Sequence, residues 1–192
     1  MKITYWLGVV ALVCGSVGVH AVEVAGVAVA DTVKIGGVDL VLNGAGIRTR
    51  AVFKVYVGAI YVTDKKSAAA EVIAQRGPKR VALHMLRDLT AEQLGGALND
   101  GPAANLSEAE RTQFKPQIDE LKATMDAVGA AKEKSVVTLD YLPEAGIRIA
   151  IDGAARGKPI PGEEFYRALL KMWLGDKPVD RSLKAGMLGQ PS

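Results

Sequence analysis

The sequence has almost no cysteine or histidine. Its 192 residues contain one cysteine, Cys14, and two histidines, His20 and His84. Cys14 and His20 lie in the N-terminal segment, so the rest of the chain keeps only His84. Without cysteine it can form no disulfide, no thiol nucleophile and no thiolate metal site. Because one histidine is too few for a multi-histidine zinc or iron site, we expect neither a metal nor a cofactor.

The chain also lacks a strong excess of charge. Its 24 lysines and arginines face 21 acidic residues, which gives a formal net charge of +3 at pH 7, and aromatic residues make up only 5%. No basic run carries aromatic residues between its charges. Proteins that bind nucleic acid cluster lysine and arginine against the phosphates, so we expect no nucleic-acid partner.

An apolar run lies at the N-terminus. Lys2 supplies a positive charge, Ile3–Val19 contains no acidic or basic residue, and Val19-His20-Ala21 places small residues before a cleavage site. This order is typical of a secretory signal peptide. The alternative, an uncleaved anchor, needs about 20 apolar residues, more than the core of this run supplies. We therefore predict a signal peptide at 1–21 and a domain at 22–192 that is periplasmic or secreted, with no stable membrane anchor after cleavage near Ala21.

The next part of the chain shows strand patterns. Gly36-Gly37 between two short β-rich runs predicts a two-residue hairpin, and Asn43–Gly46 predicts the following turn. Ala51–Val62 is apolar at consecutive positions, which indicates a long strand covered on both faces. Gly77-Pro78 ends a short alanine-rich helix, and alternation over Val81–Leu86 predicts another strand.

Helical periodicity then replaces alternation. Thr90 and Ser107 each begin a capping-box pattern. Apolar residues recur at spacings of three and four over Phe114–Val128, which predicts an amphipathic helix. Alternation returns over Val137–Tyr141 and Ile147–Ile151, which indicates an antiparallel strand pair with one face on the core.

The chain ends in two helical segments. Gly162–Leu174 has an apolar side and is followed by Gly175 as a C-terminal stop, and Asp180 can cap a last short helix. Runs of strands and runs of helices are typical of an antiparallel sheet with helices on one face. The length suits one core, and no linker or repeat divides it. The sequence thus predicts a single α+β domain.

Arg48 is the strongest candidate for a functional residue. It follows a glycine-rich segment and precedes an apolar strand, where its planar charged fork suits a carboxylate or an enolate oxygen. Tyr56 lies eight positions further on and would share a strand face with Arg48. The alternative is a surface arginine and a core tyrosine. Four other charged residues are interpreted as members of structural ion pairs: Arg87, Asp88, Arg148 and Asp152.

Several segments, in chain order, resemble chalcone isomerases. Leu42–Arg48 and Phe53–Val62 are similar to the signature of that family. Further segments resemble its bacterial branch, namely Leu86-Arg87-Asp88, Gly146–Gly153 and Leu170–Gly175. The resemblance covers nearly all of the predicted domain. It implies an open-faced β-sandwich of chalcone isomerase type, in which a large antiparallel sheet carries a layer of helices on one face and a ligand cleft lies between them.

The resemblance also implies site residues. The arginine with which chalcone isomerases stabilise an enolate maps onto Arg48, while Tyr56 and Met172 stand where that family has threonines. Asn105 is a candidate for a family asparagine, in the Pro102–Leu106 loop, which lacks the family's tyrosine. Fatty-acid-binding proteins of the same fold hold a carboxylate with an arginine and a tyrosine, and those positions map onto Arg48 and Tyr56.

Three functions stay open. A carrier of a small amphipathic acid, such as a fatty acid, would hold the carboxylate with Arg48 and Tyr56. An isomerase (intramolecular lyase) acting on a chalcone-like or enone substrate would use Arg48 as oxyanion stabiliser and Tyr56 as acid. A non-catalytic accessory protein would use its surface instead. We expect a monomer whose partner is a small amphipathic or phenolic ligand, contacted also by side chains of the cleft: Val52, Ile60, Met85, Asn105, Met172 and Trp173.

Overall fold

The computed structural model describes residues 20–90, 92–94, 96, 101 and 104–191. Its main element is a seven-stranded antiparallel sheet in which the strands follow chain order, from β3 to β9. A separate hairpin of two strands, β1 and β2, precedes the sheet. The strands are β1 (Ala21–Val24), β2 (Val27–Ala30), β3 (Thr32–Ile35), β4 (Val38–Arg50), β5 (Phe53–Val62), β6 (Lys79–Met85), β7 (Val136–Leu142), β8 (Gly146–Ile151) and β9 (Ala154–Ile160).

The three predicted capping residues, Thr90, Ser107 and Asp180, each cap the start of a helical segment. Thr90 and Gln93 exchange hydrogen bonds of 3.0 and 3.3 Å, and Ser107 and Glu110 form a second capping box. The Asp180 side chain accepts hydrogen bonds from the first backbone N–H groups of the last helix. The helices are α1 (Ala69–Ala74), α2 (Glu108–Gln113), α3 (Lys115–Val128), α4 (Glu163–Leu174) and α5 (Arg181–Met187).

The amphipathic helix predicted over Phe114–Val128 is α3. Pro116 lies in its first turn, where a proline costs no hydrogen bond because the first N–H groups of a helix have no partner within the helix. The helix ends before Gly129, whose φ of 76° lies in the region that favours glycine. The predicted hairpin at Gly36-Gly37 and the predicted pair of strands β7 and β8 are also present.

The sheet is covered on both faces, by different layers. On one face, residues of β5, β6, β7 and β8 pack against the helices in the larger apolar cluster. On the other face a smaller cluster joins the sheet to the β1–β2 hairpin, and Val29 of β2 is fully buried there. Strand β5 contributes to both clusters, with Ile60 toward the helices and Val57 and Tyr61 toward the hairpin. The predictions of an α+β fold and of a doubly covered strand are confirmed.

The turn predicted at Asn43–Gly46 is wrong, because β4 continues through these residues, with one irregularity in its pairing to β5 between Leu42 and Gly44. The two glycines serve a close approach instead. A Cβ atom on Gly44 would lie 2.2 Å from the carbonyl oxygen of Gly186 in α5, and one on Gly46 would lie 3.0 Å from that of Leu183. The sequence patterns did not predict strands β1, β2 and β9.

The predicted signal peptide lies, up to residue 19, outside the described residues. Ala21 already pairs with Ala30 in the β1–β2 hairpin, so cleavage after Ala21 would remove the first residue of β1. The boundary between residues 21 and 22 stays a prediction. None of the described helices has the length and apolar character needed to cross a bilayer.

Candidate functional site

A cavity of about 520 Å³ lies between the sheet and the helices. Its walls are mainly apolar and come from β5, β6 and β7 on one side and from α3 and α4 on the other. Leu83, Met85, Leu121, Met125, Met172 and Trp173 are among its lining residues. The volume falls within the range of roughly 300–1,000 Å³ that is usual for small-molecule sites. Such a cavity suits an apolar ligand body.

Arg48 and Tyr56 meet at this cavity. They are directly paired residues of the antiparallel strands β4 and β5, and the Arg48 guanidinium carbon lies 5.5 Å from the centre of the Tyr56 ring. The interpretation that they share one face of one strand is wrong, because the chain reverses at Ala51 and Val52 between them. Their proximity comes from the hairpin register, and it brings the two predicted residues together.

The Tyr56 hydroxyl is buried and held in place by Trp173. The Trp173 indole Nε1–H donates a hydrogen bond of 3.0 Å to the Tyr56 oxygen. Burial raises the pKa of Tyr56 above its ordinary value, although the charge of Arg48 and the hydrogen bond from Trp173 act in the opposite direction. The hydroxyl therefore keeps its proton at neutral pH, so it can donate a hydrogen bond to an anion in the cavity.

Arg48 has no acidic partner among the described residues: none of their carboxylates forms an ion pair with it. Asp180 lies nearby, but it accepts a hydrogen bond of 2.8 Å from the Thr49 N–H and caps α5 through Ser182 and Leu183. Burial raises the pKa of Asp180, but these hydrogen bonds outweigh it and leave the pKa below its ordinary value. The Asp180 carboxylate is thus committed to backbone groups, and the positive charge of Arg48 is available to a ligand.

Two further arginines, Arg50 and Arg87, also line the cavity. The Arg87 guanidinium carbon lies 4.7 Å from the centre of the Phe53 ring. Arg87 forms no ion pair with a described residue, so its interpretation as a member of a structural ion pair is wrong there. Asp88 does form an ion pair, with Lys132 at 3.0 Å. Extending the antiparallel register of β5 and β6 by two residues pairs Arg87 with Lys54 and not with Phe53, so the strand register did not predict the contact between Arg87 and Phe53.

The other predicted contact residues divide into two groups. Met85, Met172 and Trp173 line the cavity. The expectation for Val52 and Ile60 is wrong, because Val52 is 84% exposed at the β4–β5 turn and Ile60 is fully buried in the core, and neither lines the cavity.

Asn105 does not line the cavity either. Its side-chain amide donates to the carbonyl oxygens of Gly101 and Lys177, at 3.1 and 2.8 Å, and its oxygen accepts from the Lys177 N–H at 3.1 Å. These bonds fix the segment around residue 105 to the chain after α4. Residues 102 and 103 of the Pro102–Leu106 loop lie outside the described residues.

A second cavity, of about 1000 Å³, adjoins the first. The two share the lining residues Arg48, Arg50 and Gln93, and the second one adds polar side chains such as Thr90 and Glu92. The arginines thus stand between an apolar chamber and a polar one, which is the arrangement that a ligand with a polar head and an apolar body requires.

The hydrogen bond between Trp173 and Tyr56 gives a first testable prediction. Tyr56→Phe removes the acceptor and leaves a buried N–H without a partner, which should lower the free energy of unfolding by about 1–3 kcal/mol. Trp173→Phe removes the donor and also some volume. We expect the double variant to be more stable than the sum of the single effects predicts, by about 1 kcal/mol. Urea denaturation of the four proteins measures this coupling, and strictly additive effects would contradict it.

The comparisons with known proteins agree with this architecture. The model of the chalcone isomerase-like family matches residues 21–189. The crystal structure of a fatty-acid binding protein from Arabidopsis thaliana superposes with a TM-score of 0.69 at 14% identity, over 88% of this chain and 96% of the other. No curated protein sequence matches the chain. At this level of identity the structural likeness shows the fold, and the predicted chalcone isomerase type of sheet and helices is confirmed.

Proposed function

The chain belongs to the chalcone isomerase-like family, and we propose that it binds a small amphipathic acid of the fatty-acid type in the cavity of about 520 Å³. Arg48 would hold the carboxylate with charged hydrogen bonds, and the Tyr56 hydroxyl would donate a further one. The apolar walls would take the hydrocarbon chain. The observation that carries the proposal is an arginine that no described carboxylate pairs with, beside a protonated hydroxyl, at an apolar cavity.

The physical argument rests on the cost of an unpaired charge. A guanidinium that is partly withdrawn from water is stabilised by an anion that returns its hydrogen bonds. A simple inorganic anion would satisfy Arg48 but would leave the apolar walls in contact with water. A ligand with both a carboxylate and an alkyl chain satisfies both parts of the site, and the Arabidopsis neighbour is itself described as a fatty-acid binding protein.

The raised pKa of Tyr56 favours binding over proton transfer. A general acid works best when its pKa lies near the operating pH, whereas a hydroxyl that holds its proton firmly is suited to a stable hydrogen bond with a carboxylate. We also propose that the protein acts as a monomer in the periplasm or outside the cell, after cleavage near Ala21. The apolar run before that residue supports this location.

A ligand series tests the proposal. We expect straight-chain carboxylic acids to bind the delipidated protein, with each added methylene tightening binding by up to about fourfold until the cavity is filled. The primary alcohol of the same length keeps the chain and loses the charge, so it should bind about tenfold more weakly or worse. Isothermal titration calorimetry measures both series. Equal affinities for acid and alcohol, or no binding of either, would refute the proposal.

A further inference from the structure

The turn between β4 and β5 carries an unusual surface. Its residues Arg50–Lys54, here called the apolar turn, are all exposed, with Val52 at 84% and Phe53 at 56%. Ala51 has a φ of 53°, in a region where glycine and asparagine are the usual turn residues. The tip of this hairpin therefore exposes apolar side chains, at some conformational cost, where polar ones are the rule.

Basic residues surround these apolar side chains. Arg50 and Lys54 are the two ends of the apolar turn, and the Arg87 guanidinium carbon lies 4.7 Å from the centre of the Phe53 ring. Among the described residues, no carboxylate forms an ion pair with any of the three. Glu92 lines the polar cavity together with Arg50, so the patch is predominantly but not wholly positive. Exposed apolar side chains beside such basic residues are suited to the surface of an anionic membrane. The apolar side chains can enter the boundary of the acyl chains, and the basic residues can bind the anionic head groups.

The apolar turn also stands at the entrance to the cavity. Arg50, Ala51 and Phe53 line it directly, as does Arg87. Two exposed apolar side chains form too small a surface for a stable contact with a second protein, which needs about 800 Å² on each partner. A lipid surface requires no such area, because a few side chains can insert between head groups while basic residues hold the phosphates.

We propose that the apolar turn docks the protein on an anionic lipid bilayer, with Val52 and Phe53 inserted at the head-group boundary and Arg50, Lys54 and Arg87 on the lipid phosphates. Docking in this orientation turns the cavity entrance toward the membrane. A ligand with an acyl chain could then pass between bilayer and cavity without crossing water. The docking itself does not depend on the identity of the ligand.

Vesicle co-sedimentation tests the proposal, with the protein lacking residues 1–21 and no added ligand. Vesicles of phosphatidylethanolamine with phosphatidylglycerol should bind the protein, and phosphatidylcholine vesicles should bind it more weakly, by about fivefold for each basic residue at the surface. Val52→Ser should weaken binding to the anionic vesicles by about tenfold. Val38→Ser is the matched control, because Val38 is 37% exposed at the opposite end of β4. This substitution should leave vesicle binding unchanged.

A fluorescent reporter locates the contact. The new indole of Val52→Trp should shift its emission to shorter wavelength on adding anionic vesicles, and that of Val38→Trp should not. Val52→Ser should bind a dissolved acid as the wild type does, since Val52 does not line the cavity. Equal vesicle binding by Val52→Ser and the wild type would overturn the proposal. Self-association in size-exclusion chromatography that is lost in Val52→Ser would also overturn it, in favour of a second copy of the chain as partner.

Discussion

Gly44→Ala is expected to lower the free energy of unfolding by about 3 kcal/mol or more. The added Cβ would lie 2.2 Å from the carbonyl oxygen of Gly186, 2.6 Å from the Gly189 nitrogen and 2.8 Å from the Met187 oxygen. All three are backbone atoms, so no side chain can rotate away and α5 must move off β4. Since whole domains are stable by only about 5–15 kcal/mol, urea denaturation should show a large fall in the midpoint.

Gly96→Ala supplies the control. Gly96 does not have a positive φ, and a Cβ there would meet no atom of the described residues within 4 Å, so the same substitution should change stability by less than about 1 kcal/mol. The movement of α5 should also reach the site, because Asp180 caps this helix and accepts from the Thr49 N–H beside Arg48. Acid binding should therefore weaken in Gly44→Ala even where it stays folded. A Gly44→Ala protein as stable as the Gly96→Ala protein would show that β4 and α5 are not in this contact.

The glycines before and within β4 show where sequence reasoning about the fold succeeds and where it fails. A glycine pair can mark a turn or a close approach, and the choice depends on what lies opposite. At Gly36-Gly37 the strands on both sides settle the matter locally, and the hairpin is predicted correctly. At Gly44 the deciding contact is Gly186, which is 142 positions away in the chain. No local pattern contains that information.

One edge strand of the sheet, β9, was harder to predict than the central strands. Strands β5 to β8 have apolar residues that recur or alternate, because at least one of their faces packs on the core. Strand β9 is exposed along most of its length and contains Gly157 and Pro159. Such residues are usual on an edge strand, but in sequence they are typical of a loop. Periodicity detects burial, so an exposed strand gives almost no signal.

The site was predicted in part, and for a partly mistaken reason. Arg48 and Tyr56 do meet, but through the register of two strands and not along one. The contact of Trp173 with Tyr56 joins residues 117 positions apart and was not foreseen. Arg50 was also missed, because an exposed arginine at the end of a strand looks in sequence like any solvated charge. A residue's distance from a cavity is set by tertiary packing, which spacing alone does not encode.

Arg48→Gln is expected to weaken binding of a straight-chain carboxylic acid by roughly 10- to 150-fold, the usual contribution of a hydrogen bond to a charged group. Glutamine keeps part of the length of the side chain but has no charge and lacks the paired donors of the guanidinium. Calorimetric titration with the acid that binds best to the wild type measures the change. Affinity for the alcohol of the same length should stay nearly constant, because its binding depends on the apolar walls.

Arg156→Gln is the matched control for charge. Arg156 is exposed on β9 and does not line either cavity, so its replacement lowers the net charge by the same amount and should leave acid binding unchanged. A similar loss in both variants would mean that the acid is attracted by net charge and not held by a specific guanidinium. An Arg48→Gln protein that binds acid like the wild type would remove Arg48 from the site. The remaining candidates for the carboxylate would then be Arg50 and Arg87, which line the same cavity and can be replaced by glutamine in the same assay.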